Sequence, residues 1–139
     1  MKKEEIDLTL PDSEKIYVTA PDSDVRVGMR KLSLQNGESM ILYDTTGAYT
    51  DPDIDTSDGL PEIKKGWIEE REKSADGFRT QLWYAKHGII TPEMRYAATR
   101  ENQGATGDNA ITAEQVRADI AAGHAVLPSN RRHPECEPM

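Results

Sequence analysis

Sulfur ligands and aromatic residues are scarce in this sequence of 139 residues. It has a single cysteine, Cys136, and only 6% aromatic residues, one of them phenylalanine. One cysteine excludes an internal disulfide and any metal or cluster site built only from the thiolates of this chain. The length still suits one domain with a modest hydrophobic core.

Excess positive charge and long apolar runs are missing as well. The formal net charge is −8, from 25 acidic and 17 basic residues. An acidic chain repels phosphate backbones, so we expect no nucleic-acid partner. No apolar run approaches the roughly 20 residues that span a bilayer, and the amino terminus lacks the apolar core of a secretion signal. We therefore expect no membrane partner and a reducing cytoplasm as the compartment.

Alternating apolar residues predict a small antiparallel sheet. A first strand is predicted over residues 14–19, and a second begins at Val25. The apolar phase of the second strand then slips by one residue, which we interpret as a β-bulge near Arg30–Lys31. Asn36-Gly37 follows, a dipeptide typical of a type I′ hairpin turn, and residues 39–43 form the returning strand.

Helix signals dominate the carboxy-terminal half. The clearest is Thr91–Glu93, with a capping hydroxyl, a proline at the first helical position and a carboxylate at the positive end of the helix dipole. A capping box of Thr112 and Gln115 starts another helix, and Gly123 is placed to end it. Residues 60–73 have apolar side chains at helical spacing and predict a further helix.

The sequence thus predicts an α+β fold, with a small antiparallel sheet or hairpin in the amino-terminal half and two or three helices in the carboxy-terminal half. We expect one domain over residues 1–127, beginning with an arm or edge strand over residues 1–13. A short strand or extended approach is predicted at residues 82–84, and a terminal strand at residues 124–127. Residues 128–139 hold three prolines and are expected to form an extended tail or the start of a linker.

Candidate metal ligands are the three histidines and the cysteine: His87, His124, His133 and Cys136. The His-Pro-Glu-Cys spacing is not that of a recognised zinc pair, and the other histidines are distant in sequence. A Cys–His nucleophile pair is also unsupported, because nothing marks Cys136 as activated. We therefore predict no catalytic, cofactor-binding or metal-binding residue and interpret these groups as surface side chains.

The segment 44–59 is rich in potential cation ligands: Asp51, Asp53, Asp55 and Asp58. A calcium loop needs a glycine at its sixth position, and counting from Asp51 that position is Thr56. We interpret the segment as a solvated acidic loop. Trp67, Trp83 and Tyr84 are interpreted as core anchors rather than as a stacking platform for a ligand.

Read as whole phrases, the sequence resembles the amino-terminal region of phosphomethylpyrimidine synthase, the ThiC family of radical enzymes in thiamin pyrimidine biosynthesis. The phrases follow the family's order over nearly the entire chain: Ser-Glu-Lys-Ile-Tyr-Val at 13–18, Val-Arg-Val-Gly-Met-Arg at 25–30, Tyr-Asp-Thr-Thr-Gly-Ala-Tyr-Thr-Asp-Pro at 43–52, Gly-Leu-Pro at 59–61, Trp-Ile-Glu-Glu-Arg at 67–71, Thr-Gln-Leu-Trp-Tyr-Ala-Lys-His-Gly-Ile-Ile-Thr-Pro-Glu-Met at 80–94, Ile-Thr-Ala-Glu-Gln-Val-Arg at 111–117, Ala-Val-Leu-Pro-Ser-Asn at 125–130 and His-Pro-Glu-Cys-Glu-Pro-Met at 133–139.

Three departures from the family limit what the resemblance implies. The family has a much longer segment where this chain has residues 74–79. It commonly has an apolar residue and an amide where this chain has Arg131 and Arg132. The family chain also continues into a catalytic (β/α)8 barrel, whose substrate-contacting residues, metal-binding histidines and C-x-x-C-x-x-x-x-C cluster motif have no counterpart here.

The family reaction rearranges aminoimidazole ribotide with S-adenosylmethionine and a [4Fe-4S] cluster, which needs several cysteine thiolates. The resemblance therefore implies a non-catalytic amino-terminal domain with no cofactor of its own. Its partner would be the family's barrel, in cis in a longer protein, and a homodimer is a further expectation. The alternative is a free-standing interaction module derived from this domain. A third interpretation is a small metal-binding protein that uses His133, Cys136 and the acidic loop.

Overall fold

The computed structural model describes residues 12–103, residue 105 and residues 107–138. A three-stranded antiparallel sheet in the order β1-β2-β3 is followed by helices, so the predicted α+β fold is confirmed. Most of the predicted arm, residues 1–11, lies outside the described residues.

The elements are β1 Ser13–Thr19, β2 Arg26–Ser33, β3 Ser39–Tyr43, α1 Lys65–Glu72, α2 Gln81–Lys86, α3 Pro92–Asn102 and α4 Ala113–Ala122, with short 3-10 helices at Gly47–Thr50 and Gly107–Asn109. Within these described ranges no helix has the length and apolar content needed to cross a membrane.

The sheet register is continuous, so the predicted β-bulge is wrong. β1 pairs with β2 over all of its residues, and β2 pairs with β3 in the same unbroken way. Val27 and Met29 are buried, whereas Leu32 and Leu34 are partly exposed near the hairpin turn. Because the core does not cover this end of β2, apolar residues there need not follow the alternation of the buried part.

The hairpin lies where it is predicted, but its turn type differs. A type I′ turn needs a positive φ at both central residues, and here Gly37 has a φ of 85° while Asn36 does not have a positive φ. The Gly37 N–H donates to the Leu34 carbonyl at 3.0 Å, and the Leu34 N–H donates to the Glu38 carbonyl at 2.9 Å. The loop therefore has three residues, with glycine in the left-handed region.

Two helices begin at the predicted residues, and a third is shorter than predicted. The hydroxyls of Thr91 and Thr112 cap α3 and α4, and Gly123 ends α4 with a φ of 79°. Helix α1 starts at Lys65 rather than near residue 60. The N–H of Lys64 donates to the carbonyl of Pro134 at 3.0 Å instead of to a carbonyl of its own segment, so a distant contact replaces the first helical turn.

Neither the extended approach predicted at residues 82–84 nor the terminal strand predicted at residues 124–127 forms. Residues 82–84 belong to α2, which begins where the Thr80 hydroxyl accepts a hydrogen bond from the Trp83 N–H at 3.1 Å. An alternation of three residues is too short to distinguish a strand from a helical turn. Residues 124–127 form no strand, because the first two N–H groups of this segment donate to the carbonyl of Asp119 at the end of α4.

In the part of the chain that the structure describes, the buried apolar side chains form two clusters that α3 connects. Met94 and Ala97 pack in the helical cluster, whereas Tyr96 packs in the sheet cluster. The helical cluster is formed by Tyr84, Ala85, Met94, Ala97, Ile120 and Leu127, and the sheet cluster by Ala20, Val25, Val27, Met29 and Tyr96. Trp67 and Trp83 are partly buried against these clusters and Tyr84 is buried, so their interpretation as core anchors is confirmed.

Replacing Tyr96 with phenylalanine is expected to leave stability unchanged or to raise it by up to about 1 kcal/mol. The Tyr96 side chain is buried, and its hydroxyl has no hydrogen-bond partner among the described residues, so the hydroxyl contributes only the cost of its desolvation. Burial also raises the pKa of Tyr96. The measurement is the free energy of unfolding in urea.

The matched control is Tyr84→Phe. The Tyr84 hydroxyl donates to the Gly77 carbonyl at 3.2 Å and accepts from the Arg79 N–H at 3.1 Å. Its removal is expected to cost about 1 kcal/mol or more, because those two backbone groups lose their partner. A loss at Tyr96 as large as the loss at Tyr84 would show that the Tyr96 hydroxyl is hydrogen-bonded.

Candidate functional site

A buried ion pair joins α1 to α3. Nη2 of Arg71 lies 2.5 Å from Oε1 of Glu93, whose side chain is fully buried. The Arg71 Nε donates to the Trp67 carbonyl at 3.0 Å, and the Ser129 hydroxyl donates to Oε1 of Glu93 at 3.3 Å. The other carboxylate oxygen, Oε2, has no partner among the described residues. This carboxylate therefore depends mainly on one arginine for its stability.

Each member of the pair lies at a helix end that favours its charge. Glu93 is in the first turn of α3, directly after the Thr91 cap, and Arg71 is in the last turn of α1. The positive amino-terminal end of a helix favours a carboxylate, and the negative carboxy-terminal end favours a cation. The capping signals that start α3 thus also position Glu93 opposite Arg71.

A buried lysine extends this pair toward the end of the chain. Lys64 is 1% exposed, and its Nζ donates to the Asn130 carbonyl at 3.2 Å. Burial lowers the pKa of the Lys64 ammonium, and the nearby Glu93 carboxylate partly opposes that change. We refer to Lys64, Arg71, Glu93, Ser129 and Asn130 as the Glu93 cluster.

The Glu93 cluster holds residues 128–138 against the body of the protein. This segment lacks helices and strands, but it is not a free tail: it turns at Asn130–His133 and His133–Cys136, and Pro138 is among the fully buried side chains. The Tyr43 hydroxyl donates to the Glu137 carboxylate. Burial raises the pKa of Glu137. The expected extended tail is therefore folded back onto the sheet.

A second buried carboxylate, Asp44, connects the sheet to the loop that follows it. Oδ2 of Asp44 lies 3.1 Å from the Nζ of Lys15 and 3.2 Å from Nη2 of Arg30. Its Oδ1 accepts from the Thr46 N–H at 2.8 Å. Arg30 also donates to the Thr50 hydroxyl at 2.5 Å, so the short 3-10 helix is fixed to the strands.

The pKa of Asp44 lies below its usual value. Burial, the largest influence, raises the pKa, but the hydrogen bonds from Thr46 and the ammonium of Lys15 together outweigh it. Asp44 is thus a paired carboxylate. Lys15, Arg30, Asp44, Thr46 and Thr50 are called the Asp44 cluster below.

A cavity of about 450 Å³ lies beside the Asp44 cluster, and the end of the described chain forms part of its wall. Residues 135–137 line it together with four exposed or half-exposed apolar side chains, Tyr17, Tyr49, Leu60 and Ile63. The Tyr17 hydroxyl donates to the Asp51 carboxylate. The partial burial of its side chain and this hydrogen bond raise the pKa of Tyr17 to about 12.

The structure does not bring the four loop aspartates together as ligands. Asp51 is buried and bonded to Tyr17, whereas the other three are exposed, as expected for a solvated acidic loop. His87 stacks on Trp83 with ring centroids 3.9 Å apart, and His124 lies 3.7 Å from the Asp119 carboxylate. Among the described residues, neither of these histidines lies close enough to His133 or Cys136 to share a metal ion with them.

One group of three potential ligands does form: His133, Glu135 and Cys136. Their donor atoms all lie within 4.8 Å of one another, with Nδ1 of His133 3.0 Å from Oε1 of Glu135 and Sγ of Cys136 3.8 Å from that oxygen. His133 and Cys136 are among the candidate ligands considered from the sequence, but Glu135 is not. The signal was the turn His-Pro-Glu-Cys itself, which places three ligand types within four residues.

This donor set does not fit an iron–sulfur cluster. A [4Fe-4S] cluster is held by cysteine thiolates, and the sequence has one cysteine, exposed and beside an imidazole and a carboxylate. The buried carboxylates of the two clusters are already paired with cations. The buried charges of this α+β domain therefore serve to join parts of the domain to one another: α1 to α3 and the end of the chain, and the sheet to the loop that follows it.

Two protein-family models match the chain. The ThiC-associated domain matches residues 9–75, and the Radical SAM ThiC family matches residues 80–139. Only residues 1–8 and 76–79 lie outside both matches. The chain belongs to the ThiC family, which places it in the context of thiamin pyrimidine synthesis.

The boundary between the two matched regions lies between α1 and α2, and the Glu93 cluster crosses it. Lys64 and Arg71 belong to the ThiC-associated region, whereas Glu93, Ser129 and Asn130 belong to the radical SAM region. The hydrogen bond from Tyr43 to Glu137 crosses the same boundary. Buried charge contacts therefore join the two family regions within this chain.

Proposed function

We propose that this chain is the non-catalytic amino-terminal domain of a phosphomethylpyrimidine synthase-like protein. The observation that carries the proposal is the Glu93 cluster, which fixes the ThiC-associated region to the first part of the radical SAM region. A general base must be free to accept a proton in its working complex, and the buried carboxylates Asp44 and Glu93 are both held by cations. Their arrangement suits an architectural role.

In this proposal the chemistry of the family belongs to a barrel and a cluster motif that these 139 residues do not contain. The family uses S-adenosylmethionine and a [4Fe-4S] cluster, and this chain contributes neither a set of cluster ligands nor a cofactor site. The proposed domain covers residues 1–127, residues 128–138 pack against it, and this segment would precede the barrel, its partner in cis. A homodimer and a cytoplasmic location are further parts of the proposal, whereas nucleic acid and membrane are not partners.

The alternative function is a free-standing interaction module derived from the same domain. The observation in its favour is the group of exposed or half-exposed apolar side chains around the cavity, Tyr17, Tyr49, Leu60 and Ile63, which suits a protein partner. The same surface also suits the barrel. The two functions therefore differ in the partner that this surface contacts.

The test is association with a catalytic region of the ThiC family. The purified chain is mixed with a family synthase expressed without its own amino-terminal region, and the complex is measured by analytical size-exclusion chromatography. The native amino-terminal region of that synthase is the positive control. We expect both to co-elute with the catalytic region. Co-elution of the control alone would contradict the architectural role and favour the alternative.

A further inference from the structure

The turn at residues 133–136 presents three different metal-ligand atoms on one side of the chain. They are an imidazole nitrogen, a carboxylate oxygen and a thiol sulfur, all within 4.8 Å of one another. Tetrahedral bonds of about 2.0–2.3 Å place the donor atoms around one zinc ion roughly 3.3–3.8 Å apart. The separations in this turn, from 3.0 Å to at most 4.8 Å, bracket that distance, so small side-chain rotations would bring the donors into this arrangement.

The backbone of this turn is held in place by the buried part of the protein. The Cys136 N–H donates to the His133 carbonyl at 3.2 Å, and the Pro134 carbonyl accepts from the Lys64 N–H at 3.0 Å. Lys64 is buried and also binds the Asn130 carbonyl through its Nζ. The three donors therefore extend from a fixed turn, and little conformational entropy is lost when a ligand orders them.

The donor types indicate which ion would bind. Zinc accepts nitrogen, sulfur and oxygen ligands together, whereas calcium and magnesium require oxygen ligands. Thiolate and imidazole also favour zinc and cobalt over manganese. Three protein ligands leave a fourth tetrahedral position for water or another ligand, and Glu135 and Cys136 line the 450 Å³ cavity.

We propose that His133, Glu135 and Cys136 form a site for one divalent transition-metal ion, with zinc as the expected ion, at the edge of this cavity. The acidic loop is not part of the site. On binding, the Cys136 thiol gives its proton to solvent, and the His133 imidazole binds through Nδ1 with its proton on Nε2. One thiolate and one carboxylate then balance the two charges of the ion.

Lys64 is the cation most relevant to this charge balance. Its ammonium is directed to the Asn130 carbonyl, and its charge is partly balanced by Glu93. Lys64 makes this hydrogen bond rather than one to Glu135 or Cys136, but its charge lies close enough to both groups to attract them, so the ion must displace part of that attraction. Glu137, also in the cavity wall, is hydrogen-bonded to Tyr43 and is not needed as a ligand.

Cobalt(II) provides the most direct test, because a thiolate bound to this ion gives charge-transfer absorption that an imidazole or carboxylate does not. The reduced, metal-free full chain is titrated with Co²⁺ in a buffer that does not coordinate metals. We expect one equivalent to produce the thiolate band and one equivalent of Zn²⁺ to abolish it. Zn²⁺ affinity is measured separately by competition with a chromophoric chelator.

Three variants identify the ligands, and one histidine variant serves as the control. Cys136→Ser is expected to lose the charge-transfer band, and Cys136→Ser, His133→Ala and Glu135→Gln are each expected to weaken Zn²⁺ binding at least about tenfold. His124→Ala removes another exposed histidine beside a carboxylate and is expected to bind Zn²⁺ like the unmodified chain. Circular dichroism checks that every variant is folded.

Two results would overturn the site. The first is a Co²⁺ spectrum without thiolate absorption. The second is Zn²⁺ binding that is unchanged in folded His133→Ala and Cys136→Ser, or weakened equally in His124→Ala. In either case the three donors would be neighbours in a turn without a shared ion.

Discussion

Replacing Glu93 with alanine is expected to lower the free energy of unfolding by about 3–5 kcal/mol. The change leaves the guanidinium of Arg71, whose side chain is 11% exposed, without its counter-charge. Domains of this kind have a total stability of about 5–15 kcal/mol, so the loss is a large fraction of the whole. Urea denaturation followed by circular dichroism measures it, and amide exchange should increase in residues 128–138.

Two further variants separate the ion pair from other effects of the substitution. Glu70→Ala removes an exposed glutamate from α1 and is expected to change stability by less than about 0.5 kcal/mol. The double variant Arg71→Met/Glu93→Leu removes both charges and is expected to recover much of the loss. A double variant that is no more stable than Glu93→Ala would show that the unpaired charge of Arg71 is not the cause of the loss.

Asp44→Asn is expected to cost about 3–5 kcal/mol at neutral pH, because it leaves Lys15 and Arg30 without their shared carboxylate. Since the folded state lowers the pKa of Asp44, the carboxylate stabilises the fold above its unfolded pKa of about 3.9. That stabilisation is lost as the pH falls through the folded pKa. The stability difference between the two proteins should therefore shrink below about pH 4.

The measurement is urea denaturation of both proteins at several pH values from neutral to acid. Asp53→Asn, in the exposed part of the acidic loop, is the control and is expected to leave stability within about 0.5 kcal/mol. If Asp44→Asn and the unmodified chain differ by the same amount at all pH values, the charge of Asp44 is not what stabilises the sheet.

Local signals were sufficient to predict two helix starts, because Thr91 and Thr112 act within their own first turns. Where a distant contact decides the local structure, the prediction from local sequence is wrong. The start of α1 depends on the hydrogen bond from Lys64 to Pro134, and no pattern around residue 60 contains that information. The alternation of apolar residues in β2 likewise holds only where the core covers the strand, and the local sequence does not show where that coverage ends.

The Glu93 cluster was not predicted for the same reason. Arg71 and Glu93 are 22 residues apart, and Lys64 and Asn130 are 66 residues apart. Charged residues at such separations have no periodicity that would pair them, and most charged residues are exposed. The phrases that resemble the ThiC family contain Arg71, Glu93 and Asn130 but not Lys64, and only the structure shows that these residues meet at buried charges.

A non-catalytic role predicts that this chain carries out no radical chemistry of its own. The most direct test is to incubate the purified chain with iron, sulfide, a reductant and S-adenosylmethionine. A reconstituted ThiC-family synthase with its cluster motif is the positive control. We expect the control to cleave S-adenosylmethionine and the 139-residue chain to form no 5′-deoxyadenosine above the level without protein. Formation of 5′-deoxyadenosine by this chain in proportion to its concentration would contradict the non-catalytic role.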